Sequence, residues 1–296
     1  MGSAAVVTAG GQLVRLDDTS VFVEERGDGL PVIVLHGGPG LDHHEFADYL
    51  DPLADSFRLV LVDQRAQGRS EPAPPDTWTL ERMAQDVIML ARAMGLDRYA
   101  VLGHSFGAFV ALQNAVDYPG MAAATIMSSG IPSTRWLVAV ERNLQVFEPA
   151  EIRQQVVDSW ARETTVQTQE DLAQLTADQL PFDFADPLDP RIADYVERTK
   201  DTVYAPDVLR AFSGEDYGGI ELEDRLGEVA SPTLVLAGRH DRVCAPEASE
   251  AIATAVRGAE LHVFEESGHM TFVEQQDEYV AVVRDFLDRR VAAVSR

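Results

Sequence analysis

The chain has 296 residues, 46% of them hydrophobic, and sets 49 Asp and Glu against 24 Lys and Arg, for a formal net charge of −25. That much apolar material supports a packed core and argues against overall disorder. The charge argues against nucleic acid and anionic membranes as partners, because Lys and Arg must supply both contacts.

In chain order, MGSAAVVTAGG lacks the basic and long apolar regions of a secretory signal, and Val6 stands where a myristoylation motif needs Ser or Thr. Residues 12–16 and 20–25 read as two strands around the Asp17-Asp18-Thr19 turn. The short apolar runs at 31–35 and 57–62 suit strands buried on both faces of a parallel sheet. Residues 79–94 carry Leu80, Met83, Val87, Leu90 and Met94 at helical spacing and end at Gly95, a C-cap. A strand at 99–102, a helix at 106–117 and a strand at 123–127 follow. From 132 to 230 the chain turns helical, acidic and rich in proline and aromatics, the aromatics being read as mostly a small core of that segment's own, with a minority facing substrate. Strands return at 232–237 and 261–264, and a helix closes the chain at 274–294. The order implies an α/β architecture: a mostly parallel, doubly wound sheet from residues 1–131 and 231–296, with a helical cap inserted at 132–230. No run approaches the ~18 apolar residues of a membrane span. Cys244 is the single cysteine, so no intramolecular disulfide is possible and a reducing, cytoplasmic setting is expected. Lys200 is the single lysine, a bias read as codon usage rather than adaptation to salt.

The chemistry concentrates at Gly103-His104-Ser105-Phe106-Gly107, a G-x-S-x-G pattern between a strand and a helix. A strand that turns at once into a helix forces its central residue into strained geometry and leaves no room for side chains two positions away. Ser105 is the candidate nucleophile. Its partners are expected later in the chain, acid before histidine, each on a loop after a strand. Asp241 and His269 meet that requirement, whereas Ser128-Ser129-Gly130 offers no carboxylate. The backbone N–H groups of Phe106 and of Gly38, in His36-Gly37-Gly38-Pro39-Gly40, are the expected oxyanion donors. Gly37, Trp136, Phe212 and Arg242 are candidate substrate contacts. No metal or organic cofactor is called for. His36 and His104 read as buried structural histidines, His43-His44-Glu45 as a solvated loop, Arg65 and Arg69 as ion pairs bracing the loop around Asp63, and Cys244 as a small packed residue.

In order, H-G-G-P-G, Asp63-Gln64-Arg65 with Gly68-Arg69-Ser70, G-H-S-F-G, G-R-H-D and S-G-H resemble the α/β-hydrolases. H-G-G-P-G with D-Q-R resembles their proline iminopeptidase branch, and the match runs from about residue 20 to about 290, without most of the insertion. The resemblance implies an α/β-hydrolase fold with a helical cap and a Ser105, Asp241, His269 triad. Relatives that release an N-terminal residue hold its amine with acids of the cap, and some with a Glu directly after the catalytic acid. Here that place is Arg242, which would repel an ammonium group; Glu215, Asp216, Glu221 and Glu223 are the cap acids at hand. The motif G-H-S-F-G and the pair Ala66-Gln67 also depart from that branch. The preferred expectation is therefore a serine hydrolase that acts through an acyl-enzyme on a small carboxylic ester, lactone or amide. Two alternatives stand beside it: a proline iminopeptidase-type aminopeptidase, and a small-molecule receptor without turnover. The partner is a small-molecule substrate, and the chain is expected to be a monomer or small homo-oligomer.

Overall fold

The computed structural model describes residues 6–8 and 10–291. Nine strands among them form one sheet: β1 (Val6–Thr8), β2 (Gly11–Arg15), β3 (Ser20–Arg26), β4 (Leu30–Leu35), β5 (Phe57–Asp63), β6 (Ala100–His104), β7 (Ala124–Ser128), β8 (Thr233–Gly238) and β9 (Glu260–Phe264). Their order across the sheet is β1-β2-β3-β5-β4-β6-β7-β8-β9. Pairing is antiparallel through β1, β2, β3 and β5 and parallel from β5 through β4 to β9.

The apolar runs are buried on both faces because alternate side chains enter different cores. Ile33 and Leu35 of β4, Val60 and Val62 of β5 and Val101 of β6 join one core with α1 (Leu80–Ala93), α2 (Phe106–Asp117) and α9 (Pro246–Ala255). Val32, Val34, Leu59, Leu61 and Leu102 join the other, against α11 (Gln276–Arg290). Helix α1 begins where Thr79 accepts a hydrogen bond from the Arg82 N–H and stops before Gly95, which has φ +67°.

Between β7 and β8 lie α3 (Val138–Gln145), α4 (Ala150–Arg162), α5 (Gln169–Asp183), α6 (Arg191–Arg198), α7 (Pro206–Ser213) and the short α8 (Asp216–Gly219). The two ends of this insertion meet in a backbone bridge at Ser133 and Glu221. Its aromatics do not form one separate core. Phe147 and Phe182 do pack together, but Phe212 packs into the first sheet core, and Phe184 and Tyr195 into the second. The insertion is too thin to bury them all by itself, so the sheet's helices supply the rest of the contact.

The closing helix expected at 274–294 is broken: α10 (Thr271–Glu274) precedes α11, and residues 292–294 lie outside the described residues. The break at Gln275 has a use. Its side-chain oxygen accepts from Glu266 N (3.0 Å) and Ser267 Oγ (2.8 Å), while Glu274 accepts from Gly268 N (2.8 Å) and Ala185 N (2.8 Å). Together they grip the loop that carries residue 269. Among the described residues, no helix is long and apolar enough to cross a membrane.

Arg65 is buried and bonds Asp86 with two nitrogens (2.7 and 2.8 Å) and Asp18 with two (2.9 and 3.1 Å). As expected it forms ion pairs, and they tie the loop after Asp63 to the β2–β3 turn and to α1. Replacing Arg65 with Ala leaves the buried Asp86 carboxylate only its longer contact with Arg82 (3.6 Å) and is expected to cost about 3–5 kcal/mol. Arg82→Ala, at the more exposed edge of the same network, should cost at most ~1 kcal/mol. Urea unfolding of both variants checks the difference.

Candidate active site

Strand β6 ends at His104 and α2 begins at Phe106, so Ser105 alone makes the turn, with φ +52° and ψ −120°. A Cβ on Gly103 would lie 2.0 Å from the Gly107 carbonyl oxygen, and one on Gly107 would lie 2.2 Å from the Leu35 carbonyl oxygen. The two glycines are therefore steric requirements, and the turn stores strain of about 1–3 kcal/mol that the sheet must hold.

His269 and Asp241 arrive from the carboxyl ends of β9 and β8. His269 Nδ1 lies 2.9 Å from Asp241 Oδ2, and the other Asp241 oxygen accepts from Val243 N (2.9 Å) and Cys244 N (2.8 Å). These bonds fix the carboxylate and hold the imidazole by Nδ1. Burial disfavours the imidazolium, but Asp241 outweighs it, with Asp183 and Glu45 adding to the effect, and holds His269 up to about 9. His104 is buried beside His269, with ring centres 4.9 Å apart. Burial and that neighbour push it well below its ordinary value, so it stays neutral.

Ser105 and His269 line a cavity of about 110 Å³ closed over by the insertion. Its wall is largely apolar, with Leu137, Val140, Leu172, Leu175, Leu209 and Val243, and it contains three carboxylates, Glu45, Glu163 and Asp183. Among the described residues no Lys or Arg lines it. Glu45 accepts from Gly37 N (2.5 Å); Glu163 accepts from Gln179 Nε2 (2.7 Å) and from the Tyr217 hydroxyl. Among the described residues no donor reaches the Asp183 carboxylate, although its backbone oxygen accepts from His269 N (2.6 Å). Loss of hydration is the first cause in each case: Glu45 is pushed up to about 8, and Glu163 and Asp183 to about 7.

Gly38 lines the cavity, and neither its N–H nor that of Phe106 is taken up by another group among the described residues. Of the four expected substrate contacts, Arg242, Trp136 and Phe212 lie outside this cavity. Arg242 points away: its guanidinium donates to the carbonyls of Phe184 (2.6 Å), Ala185 (3.0 Å) and Phe182 (3.3 Å), which α5 leaves unpaired at its end. Trp136 donates its indole N–H to Glu223 (2.7 Å) and stacks under Arg135. Phe212 is buried edge-on against Phe106, 4.8 Å between centres. Gly37 packs beside Ser105, where an added Cβ would lie 3.1 Å from the serine Cβ, with its N–H committed to Glu45. The cap acids expected to receive an amine are also elsewhere; Glu221 and Glu223 bond Thr134, Ser133 and Arg135.

The loop at His43 is not solvated. His43 is 1% exposed, with Nδ1 2.5 Å from Asp63 and Nε2 3.4 Å from Glu24. Burial opposes its charge, but the Asp63 and Glu24 partners hold it up to about 9. Asp42 caps the following turn through His44 N (2.9 Å) and also pairs with Arg69, whose backbone N–H goes to Asp63. Asp42, His43 and His44 are close enough to hold a metal ion, but these bonds already commit them to bracing the loop behind Gly38. The three cavity acids escaped the sequence reading. The available signal was local: Asp183 stands between Phe182 and Phe184, and Glu163 follows Trp160 by three residues, both aromatic settings that imply burial.

Residues 31–276 match the family model described as alpha/beta hydrolase fold. The chain is 30% identical over 275 residues to a proline iminopeptidase of Heyndrickxia coagulans, covering 90% of this chain and 93% of that one. It superposes on the crystal structure of a proline iminopeptidase from Mycobacterium smegmatis with a TM-score of 0.74 at 26% identity, covering 96% of this chain and 100% of that one. An esterase from Exiguobacterium antarcticum, at 22% identity, shares the fold with a TM-score of 0.73 over 93% of this chain and 98% of that one.

An Asp whose folded-state value lies near 7, against an ordinary 3.8, loses stability as pH rises across that interval, because the folded state keeps a proton that the unfolded state releases. Asp183→Asn removes that loss. Its melting temperature should match the parent near pH 4 and exceed it by several degrees at pH 8, as scanning calorimetry can measure.

Proposed function

The chain belongs to the alpha/beta hydrolase fold family and is a hydrolase, and from that premise we propose that it releases an N-terminal residue carrying a free amine, through an acyl-enzyme on Ser105. One observation carries the reading: Glu45, Glu163 and Asp183 line the same cavity as Ser105 and His269, so among the described residues three carboxylates share that wall with a single imidazole and no Lys or Arg. Ionised carboxylates removed from water are unfavourable unless a cation joins them, and a substrate ammonium is the cation that would also place a carbonyl beside the serine. The argument against an amine came from Arg242, and its guanidinium is spent on backbone carbonyls outside this cavity. The apolar part of the wall suits a compact side chain, and the proline iminopeptidase relatives support proline as the residue to try first.

In this reading His269 takes the proton of Ser105 as the serine attacks the carbonyl, and Asp241 holds the imidazole by Nδ1. The N–H groups of Gly38 and Phe106 receive the oxyanion. His269 then protonates the leaving amine, and water repeats the sequence on the acyl-enzyme.

Ser105→Ala should lower kcat by at least ~10³-fold. Glu163→Gln should raise KM for a prolyl arylamide by about 10- to 100-fold with a smaller change in kcat, as expected for a lost charge-assisted bond. The parent should cleave the free-amine substrate and spare its N-acetylated form; equal rates on the two would return the protein to the ester and lactone hydrolases. Ammonium binding also offsets the Asp183 and Glu45 charges that raise His269. The acid limb of kcat should therefore lie at lower pH for an amine substrate than for a neutral ester, and paired pH profiles measure the separation.

A further inference from the structure

The last carbonyls of a helix have no partner within it. At the end of α5 the four from Phe182 to Ala185 are all taken up by the loops that carry Asp241 and His269. His269 N donates to the Asp183 carbonyl (2.6 Å), and the Arg242 guanidinium donates to those of Phe184 (2.6 Å), Ala185 (3.0 Å) and Phe182 (3.3 Å). Two further restraints close this junction. A Cβ on Gly268 would lie 2.4 Å from the Asp183 carbonyl oxygen, so only glycine allows the approach, and Glu274 accepts from both Gly268 N and Ala185 N (2.8 Å each). Arg242 is itself confined, with its guanidinium 5.4 Å from the centre of the Phe147 ring and its backbone oxygen accepting from Asn143 Nδ2 (2.9 Å). The backbone on either side of Asp183 is thus fixed, while its carboxylate lines the cavity with no donor among the described residues.

We propose that Arg242 is a positioning residue for substrate recognition: by holding the carbonyls that bracket Asp183, it fixes that carboxylate in the cavity beside His269 to receive the substrate ammonium. The proposal rests on the amine reading above and adds to it the residue that makes Asp183 a receptor. A guanidinium presents its N–H groups in a rigid planar fork, so it can span three carbonyls that a single ammonium group would not. It also acts through its charge. Burial, Asp241 and Glu163 oppose ionisation of Asp183, whereas His269 and Arg242 favour it. An arginine directly after the triad acid therefore assists an amine without touching it, and ties amine capture to the loop of Asp241.

The test takes the ratio of kcat/KM for a free-amine prolyl arylamide to that for p-nitrophenyl acetate, a neutral ester with no ammonium to place. Arg242→Met keeps an unbranched side chain but removes its donors and charge. It should lower the ratio at least ~10-fold, chiefly through KM for the arylamide. Arg242→Lys keeps the charge without the fork and should fall between that variant and the parent. Asp183→Asn separates positioning from a merely structural role. If Arg242 acts through Asp183, the double variant loses little more than either single one, whereas independent effects multiply. Circular dichroism confirms folding, and should Arg242→Met not fold, Arg242→Lys combined with Asp183→Asn carries the same comparison. An unchanged ratio in a folded variant, or multiplied losses in the double one, overturns the role of Arg242 while the parent still spares the N-acetylated arylamide. A parent that hydrolyses the free-amine and N-acetylated arylamides at equal rates overturns the amine reading and this proposal with it.

Discussion

The turn at Ser105 couples more of this molecule than any other local feature. Its φ of +52° is tolerable because Gly103 and Gly107 let β6 and α2 approach one another and the Leu35 carbonyl without side chains between them. That approach brings the end of β4, and with it Gly37 and Gly38, alongside the serine. The loop after β4 is then braced from behind by Asp63, which collects His43 and the Arg69 backbone, and by Glu45 on the Gly37 N–H. One strained residue is held because several strand ends converge on it. Strain of this kind persists only where the surroundings over-determine it.

The same region is electrostatically costly. Three carboxylates removed from water, one without a donor, oppose folding at neutral pH, and Glu274, held up to about 7 chiefly by burial, adds a fourth behind His269. Around them the structure places compensation of a different kind. Glu274 and Gln275 interrupt a helix to hold the 266–268 loop, and Arg242 quiets the end of α5. The protein thus spends structural bonds on positioning its backbone and leaves Asp183 unsatisfied toward the cavity. A free carboxylate there is unfavourable for stability and favourable for binding a cation, which is the usual conflict between a folded core and a functional site.

Much of the fold was legible because buried parallel strands and amphipathic helices leave strong local patterns. The helix expected at 106–117 is α2, and the expected strands at 31–35, 57–62 and 261–264 lie within β4, β5 and β9. Ser105, Asp241 and His269 were named from motif and chain order, and in the fold they stand at the carboxyl ends of β6, β8 and β9, with Asp241 bonded to His269. Of the residues named for substrate contact, Trp136, Phe212 and Arg242 lie outside the cavity lined by Ser105 and His269, while Glu45, Glu163 and Asp183, three of 49 acids in the sequence, line it.

The difference has a physical basis. Periodicity, glycine spacing and strand-to-loop order are consequences of short-range sterics and of burial on one or two faces, so the sequence by itself determined the buried strands, the turn at residue 105 and the loops that carry Asp241 and His269. Which way a side chain of the insertion points depends on how α4, α5 and α6 rotate as they pack over the strand ends, a long-range outcome with no periodic signature. Tertiary packing alone decided that Arg242 would close α5 instead of facing substrate. It also set three acids, from the loop after β4 and from the ends of α4 and α5, into one apolar cavity beside the serine.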